Sequence, residues 1–232
     1  MKVLALIAVV ALGLSACTTM NNDVITPNKS NQIVTQYPVE TALLNIYTKA
    51  RTDTLIQAND NQNTVLEIKV VPKGKMTFNN QQAQGAETAY TIKSDGIIDQ
   101  QLISINYYTL NPAKFYGFTN NLGEYSVANQ TSDMPKMATI GDSSEFITES
   151  VYSDSSQDKL ISKYTQSWSL KRATNDTAWF CINASENLLL NDANGTMSEC
   201  YNINAKGDLL STKVVDSSPL EDGVKRIIYN SL

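Results

Sequence analysis

The chain contains no histidine among its 232 residues. That single absence removes the Ser-His-Asp and Cys-His arrangements, histidine general bases and histidine-ligated metal sites. Cysteine is scarce as well, with three in all. No two of them stand in a CxxC spacing, so a thioredoxin-like redox pair and a cysteine-based zinc site are both excluded. No glycine-rich loop runs into a lysine, so no phosphate cradle is signalled, and no cofactor of any kind is implied. Basic residues are outnumbered, 18 against 23 acidic ones, and they form no run. Neutralising phosphates needs clustered Lys and Arg, so nucleic acid is not expected as a partner. Finally, no apolar run reaches the roughly 20 residues that a spanning helix needs, and no repeat of fixed period or heptad pattern is present.

What is there begins with an export signal. Lys2 supplies a positive start, Val3 to Leu14 form a short apolar run, and Ser15 and Ala16 are small. The run is too short to be retained as a membrane span. Its end, Leu14-Ser15-Ala16-Cys17, resembles the lipobox of bacterial lipoproteins. The resemblance covers only the signal and this junction. It implies removal of residues 1–16, lipid on Cys17 and a triacylated N-terminus. Each buried methylene contributes about 0.8 kcal/mol, so several acyl chains make a stable anchor where one does not. Thr18 follows the cysteine, in place of the aspartate that retains many lipoproteins in the inner membrane. The resemblance therefore points to the outer membrane, with the domain facing the periplasm. Loss of Lys2 leaves 17 basic against 23 acidic residues, a net charge of −6.

Residues 17–36 are rich in Asn, Thr, Ser and Gln and keep no period, which reads as a flexible tether reaching roughly 25 Å. Residues 37–232 form one domain, of a size that buries about 70% of its extended surface and so needs no metal to fold. Pro38 suits a first helical position, and Leu43, Tyr47 and Ala50 share a face, predicting a helix over Val39–Arg51.

From Thr64 the period becomes two. Leu66, Ile68 and Val70 alternate with Glu67 and Lys69, and Leu160, Tyr164, Trp168 and Leu170 share a face opposite Lys163, Thr165, Ser167 and Ser169. Further alternating runs lie at 97–110, 145–152, 177–182, 197–203 and 208–215. Turn signals separate them at Lys73-Gly74, Ser94-Asp95-Gly96, Asn120 to Gly123, Asn194-Gly195 and Lys206-Gly207. The expected fold is mainly β: a curved antiparallel meander sheet or open barrel with an N-terminal helix, a two-sheet β-sandwich being the alternative.

An oxidising periplasm favours pairing Cys181 with Cys200, two separate buried thiols being the alternative. Gly141-Asp142-Ser143-Ser144 superficially resembles the nucleophile block of GDS-type esterases, which need a histidine; a polar turn is the expected reading. Glu145 and Glu149 could serve a glycosidase, which needs two acids across a cleft. On a strand they are expected as solvated charges on one side. The Asn-x-Ser/Thr sequences at Asn183 and Asn194 carry no glycan by default in a bacterial lipoprotein.

Six of the eighteen aromatic residues fall in one stretch: Tyr107, Tyr108, Phe115, Tyr116, Phe118 and Tyr125. They suit either sheet packing or a ligand or partner surface. Trp168 and Trp179 are expected in the core, with Trp179 on the face of Cys181. Function is then expected to be that of a non-catalytic binding module for an apolar ligand or lipid. The alternatives are a structural lipoprotein docking to another envelope component and, third, a glycan hydrolase using carboxylates alone.

Overall fold

A computed structural model describes residues 33–60, 63–185, 195–220 and 223–232. The export signal, Cys17 and its lipid, the tether up to residue 32 and Asn194 lie outside the described residues.

The described chain starts with β1 (Gln36–Tyr37), α1 (Val39–Thr48), β2 (Arg51–Gln57), β3 (Val65–Phe78) and β4 (Gln81–Ser94). It continues with β5 (Ile97–Leu110), β6 (Ala113–Asn120), β7 (Tyr125–Gln130), β8 (Ala138–Thr139) and β9 (Ser143–Tyr152). The last five are β10 (Leu160–Arg172), β11 (Thr177–Ala184), β12 (Thr196–Asn204), β13 (Leu209–Leu220) and β14 (Gly223–Ser231). Twelve of these strands pair antiparallel, each with its neighbour in sequence, and close into a barrel where β14 meets β2. The short strands β1 and β8 pair with each other outside it. The fold is thus the mainly β meander with an N-terminal helix that the alternation indicates, and its sheet is fully closed.

Closure follows from the pattern. Strands with one apolar and one polar face must hide the first, and a continuous meander does so by curling on itself until its edges meet. Leu66, Ile68 and Val70 are buried, as are Trp168 and Leu170, while Lys69 and Lys171 are exposed. Two tight hairpins are made by left-handed pairs, Asn79-Asn80 (φ 48° and 59°) and Asp95-Gly96 (φ 50° and 82°), the conformation that matches strand twist. Lys73-Gly74 is not a turn. Gly74 (φ 74°) sits at a bulge in β3, where the register slips between Pro72 and Gly74, and the strand runs on to Phe78.

Antiparallel order puts the last residues of β2, β4, β6, β9, β11 and β13 at one end of the barrel, the mouth. The helix closes the other. Its Asn45 side chain donates to the Gly207 carbonyl at 2.9 Å in the β12–β13 turn. Lys49 pairs with Asp208 at 3.1 Å. Val39, Ala42, Leu43 and Ile46 are buried in the main core cluster, each larger side chain contributing about 1.5–3 kcal/mol by burial. The helix ends at Thr48, three residues earlier than the spacing predicts, because Lys49 is already extended and Arg51 pairs with Val70 in β2; Ala50 is exposed. The stretch before it is held too: Val34 N–H donates to Asn175 O at 2.9 Å, and Arg172 donates to Val34 O at 3.0 Å.

Candidate functional site: the barrel lumen

Above α1 the barrel is hollow. A cavity of about 410 Å³ is floored by Ile46 and Tyr47 of α1 and reaches Asn120, Glu124 and Asp216 at the mouth. Its apolar wall is made by Val70, Leu102, Phe115, Ile147 and Ile182. Below the mouth its polar wall holds two carboxylates, Glu149 and Glu199, and one guanidinium, that of Arg51.

Glu149 of β9 is 4% exposed. Ser126 Oγ of β7 donates to its Oε1, and Gln166 Nε2 of β10 donates to its Oε2 at 2.7 Å. The Tyr164 hydroxyl approaches the same carboxylate. Burial raises the Glu149 carboxyl above the ordinary value, and these polar neighbours, Ser126 first, oppose that rise. Ser126 is itself positioned by the Phe118 N–H, which donates to it at 3.3 Å. The approach of these strands requires Gly117, since a Cβ there would lie 2.0 Å from Ser126 O.

Glu199 of β12 faces the same cavity and is partly accessible from it. Tyr90 Oη of β4 donates to its Oε2 at 2.9 Å, and Tyr201 Oη donates to its Oε1. Here too burial raises the carboxyl, against the Tyr201 hydrogen bond, the Arg51 charge and the Tyr90 hydrogen bond. Tyr90, Tyr164 and Tyr201 are pushed well above the usual phenol value, chiefly by burial and then by the carboxylate beside each. Their protons stay in place, so they serve as donors.

Arg51, the first residue of β2, is fully engaged. Its Nε donates to Asp53 Oδ2 at 2.9 Å, Nη2 to Tyr201 Oη at 3.1 Å, and Nη1 to the Ile46 carbonyl at the end of α1. Thr212 of β13 completes the chain with a 3.0 Å bond to the same Asp53 oxygen.

The two acids weighed for a glycosidase part company. Phe146 is an extra residue between Ile147, opposite Gln166, and Glu145, opposite Ser167. This bulge leaves Glu145 exposed and Glu149 in the lumen, which corrects the expectation of two solvated charges on one side. Gly141 and Asp142 lie in the turn that leads into β9, with Thr139 N–H donating to Asp142 Oδ2 at 2.7 Å, and Ser143 and Ser144 are the first residues of the strand itself. Asn183 is taken up by Ser198 Oγ, a donor at 2.8 Å.

The aromatic stretch is divided by the barrel wall. Tyr107 and Tyr125 stack on Phe78 outside, with ring centroids 4.4 and 5.0 Å away, and are 7% and 8% exposed. Tyr116 packs against that outer cluster and carries Lys114 over its ring. Tyr108 and Phe115 point inward and meet Tyr47 of α1, and Phe118 lines the cavity. The six therefore make no single surface. Cys181 and Cys200 stand directly opposite each other on β11 and β12 and form a disulfide. They face outward, because Phe180, Ile182, Glu199 and Tyr201 take the inward positions; Trp179 shares that outward face.

Arg51, Tyr90, Tyr164, Gln166 and Glu199 are site residues that belong to no sequence motif. One signal pointed to them: a charged or amide residue standing in the apolar parity of a strand, as Gln166 does between Tyr164 and Trp168, and Glu199 beside Tyr201 and Ile203. In comparisons with known proteins, no family model, curated protein or solved structure matches this chain.

Proposed function

We propose that this chain is an envelope lipoprotein, held to the outer membrane by lipid on Cys17, whose barrel is a non-catalytic binding module taking a small ligand end-on into its lumen. The observation that carries the reading is the cavity: about 410 Å³, floored by α1 and lined by polar side chains set into an apolar wall. Small-molecule sites have this size and this composition. The ligand expected from sequence alone is apolar or a lipid. Glu149 and Glu199 narrow that expectation to a molecule with an apolar body and a polar head, because burying a plain acyl chain against them would leave carboxylates uncompensated.

The barrel's outer face supports a place in water at the end of a tether. Glu67 and Lys93 pair across it at 3.2 Å, and Lys73 and Glu87 at 2.8 Å; a barrel that spans a bilayer carries an apolar belt there.

Native mass spectrometry of protein extracted gently from its cells tests the reading, with Ala128→Phe filling the lumen. A bound small molecule in the wild type that is lost in this variant, with far-UV dichroism and disulfide unchanged, is the expected result. A ligand retained by the filled barrel, or a wild type that carries none and takes up none from a cell extract, would overturn it. Envelope glycan incubated with the protein is expected to yield no new reducing ends; their appearance would favour the carboxylate-only glycan hydrolase instead.

A further inference from the structure

We infer that the lumen selects an organic cation, an ammonium head seated between Glu149 and Glu199 with its body against the apolar wall. This deepens the lumen-binding reading and rests on it.

The cavity comes first: it is a bounded space of ligand size whatever its charge. Its charge then assigns the occupant. Among the described residues that line it, four are acids, Glu124, Glu149, Glu199 and Asp216, and one is a base, Arg51. Arg51 is committed to Asp53, Tyr201 and the end of α1, so its charge is already matched inside the wall. Glu149 is left without a cation of its own, and Glu199 feels one only through the Tyr201 phenol that Arg51 holds. Neutral donors satisfy them in part: each oxygen of Glu199 takes one phenol hydrogen bond and can accept another. A buried carboxylate held by neutral donors alone is costly, and a cation in the cavity offsets that cost.

The aromatic lining is a second, independent argument. Tyr47, Tyr90, Tyr164, Tyr201, Phe115 and Phe118 all border the space, and ring faces attract cations within about 6 Å. The lumen already uses this contact, since the Arg51 guanidinium lies over the Tyr201 ring at 5.2 Å. An anionic head, by contrast, meets four carboxylates and no uncommitted base. Glu124 and Asp216 at the mouth extend the same preference outward, where charges of one sign raise the local concentration of the opposite one.

The test uses three probes of nearly equal shape on the full-length protein: choline, its uncharged carbon isostere with a quaternary carbon in place of nitrogen, and tert-butylacetate. Binding is followed by isothermal titration for the wild type, Glu149→Gln, Glu199→Gln and Ala128→Phe. Choline is expected to bind about tenfold or more tighter than the isostere, and tert-butylacetate not at all. Each Glu→Gln change should weaken choline by a similar factor while leaving the isostere alone, and Ala128→Phe should abolish both. Equal binding of choline and isostere, both lost in Ala128→Phe, overturns the cation and keeps the lumen. Choline binding that survives Ala128→Phe puts the site elsewhere and overturns the lumen reading as well. Failure of choline to bind at all sinks the cation inference outright.

Discussion

Arg51 lies over the ring of Tyr201 and also donates to its hydroxyl at 3.1 Å, so one phenol passes the influence of a guanidinium to Glu199 on its far side. Four elements meet in that contact: α1 through the Ile46 carbonyl, β2, β12 and, through Asp53 and Thr212, β13. Arg51→Met keeps much of the stem but leaves Asp53 and Glu199 without their cation. The expected loss is about 3 kcal/mol, the range for removing one partner of a desolvated pair. Urea unfolding at neutral pH measures it, and a loss below about 1 kcal/mol would show that the network does not hold the helix end to the barrel.

Glu149 makes stability depend on pH in a direction opposite to the usual paired carboxylate. Its carboxyl is raised above the ordinary value by burial, so the folded state holds a proton that the unfolded state has already released. The associated stability is fully present below the unfolded value, near 4.5, and is lost as pH rises through the higher folded value. Glu149→Gln should flatten that decline and raise the melting temperature at neutral pH relative to the wild type. Thermal melts at a series of pH values from about 4 to 8 check it; parallel curves for the two proteins would mean that the Glu149 carboxyl titrates alike folded and unfolded.

The disulfide spans a sequence separation of 19 and staples β11 to β12 beside their connection. Cys200→Ser should cost about 3 kcal/mol by the loop-closure relation and should abolish the difference in gel mobility between reduced and oxidised protein. Because the pair faces outward, ligand binding in the lumen should survive the change. Loss of binding at unchanged fold would tie the staple to the site.

Gly117 tests the seam between β6 and β7, where one residue pair, Thr119 with Tyr125, stands in register. Gly117→Ala places a methyl against the Ser126 backbone at a φ of 135°. A destabilisation of about 2 kcal/mol or more is expected, together with weaker ligand binding, because Ser126 positions Glu149. A fully stable variant would mean that the seam opens freely to admit the side chain.

The anchor has its own experiment. Cys17→Ser should remove palmitate labelling and release the protein from membranes or leave it uncleaved, whereas undiminished labelling would defeat the lipoprotein assignment.

Much of the barrel was legible along the chain. Alternation of Leu66, Ile68 and Val70, or of Tyr164, Trp168 and Leu170, needs only the two-residue period of a strand to assign inward and outward sides. β4 escaped notice because its inward positions include Ala86 and Thr88, small or polar residues that carry little hydrophobic contrast. β2 was hidden by reading Arg51 as the end of a helix. The aromatic stretch looked like one feature because its residues are adjacent in sequence. Parity and the bulge opposite Tyr107 send half of it through the wall.

Sequence by itself determined the class of structure and the excluded chemistry. The two-residue period and the lack of histidine are local properties that no packing can undo, whereas a turn signal such as Lys73-Gly74 was absorbed into a strand as a bulge. Only the tertiary structure decided that the sheet closes and that Arg51, Glu149 and Glu199, brought in by three distant strands, share one cavity. The physical reason is that closure depends on the summed twist and register of twelve strands. A carboxylate on an inward face reads as an exception in one strand and becomes a site only when the others enclose it.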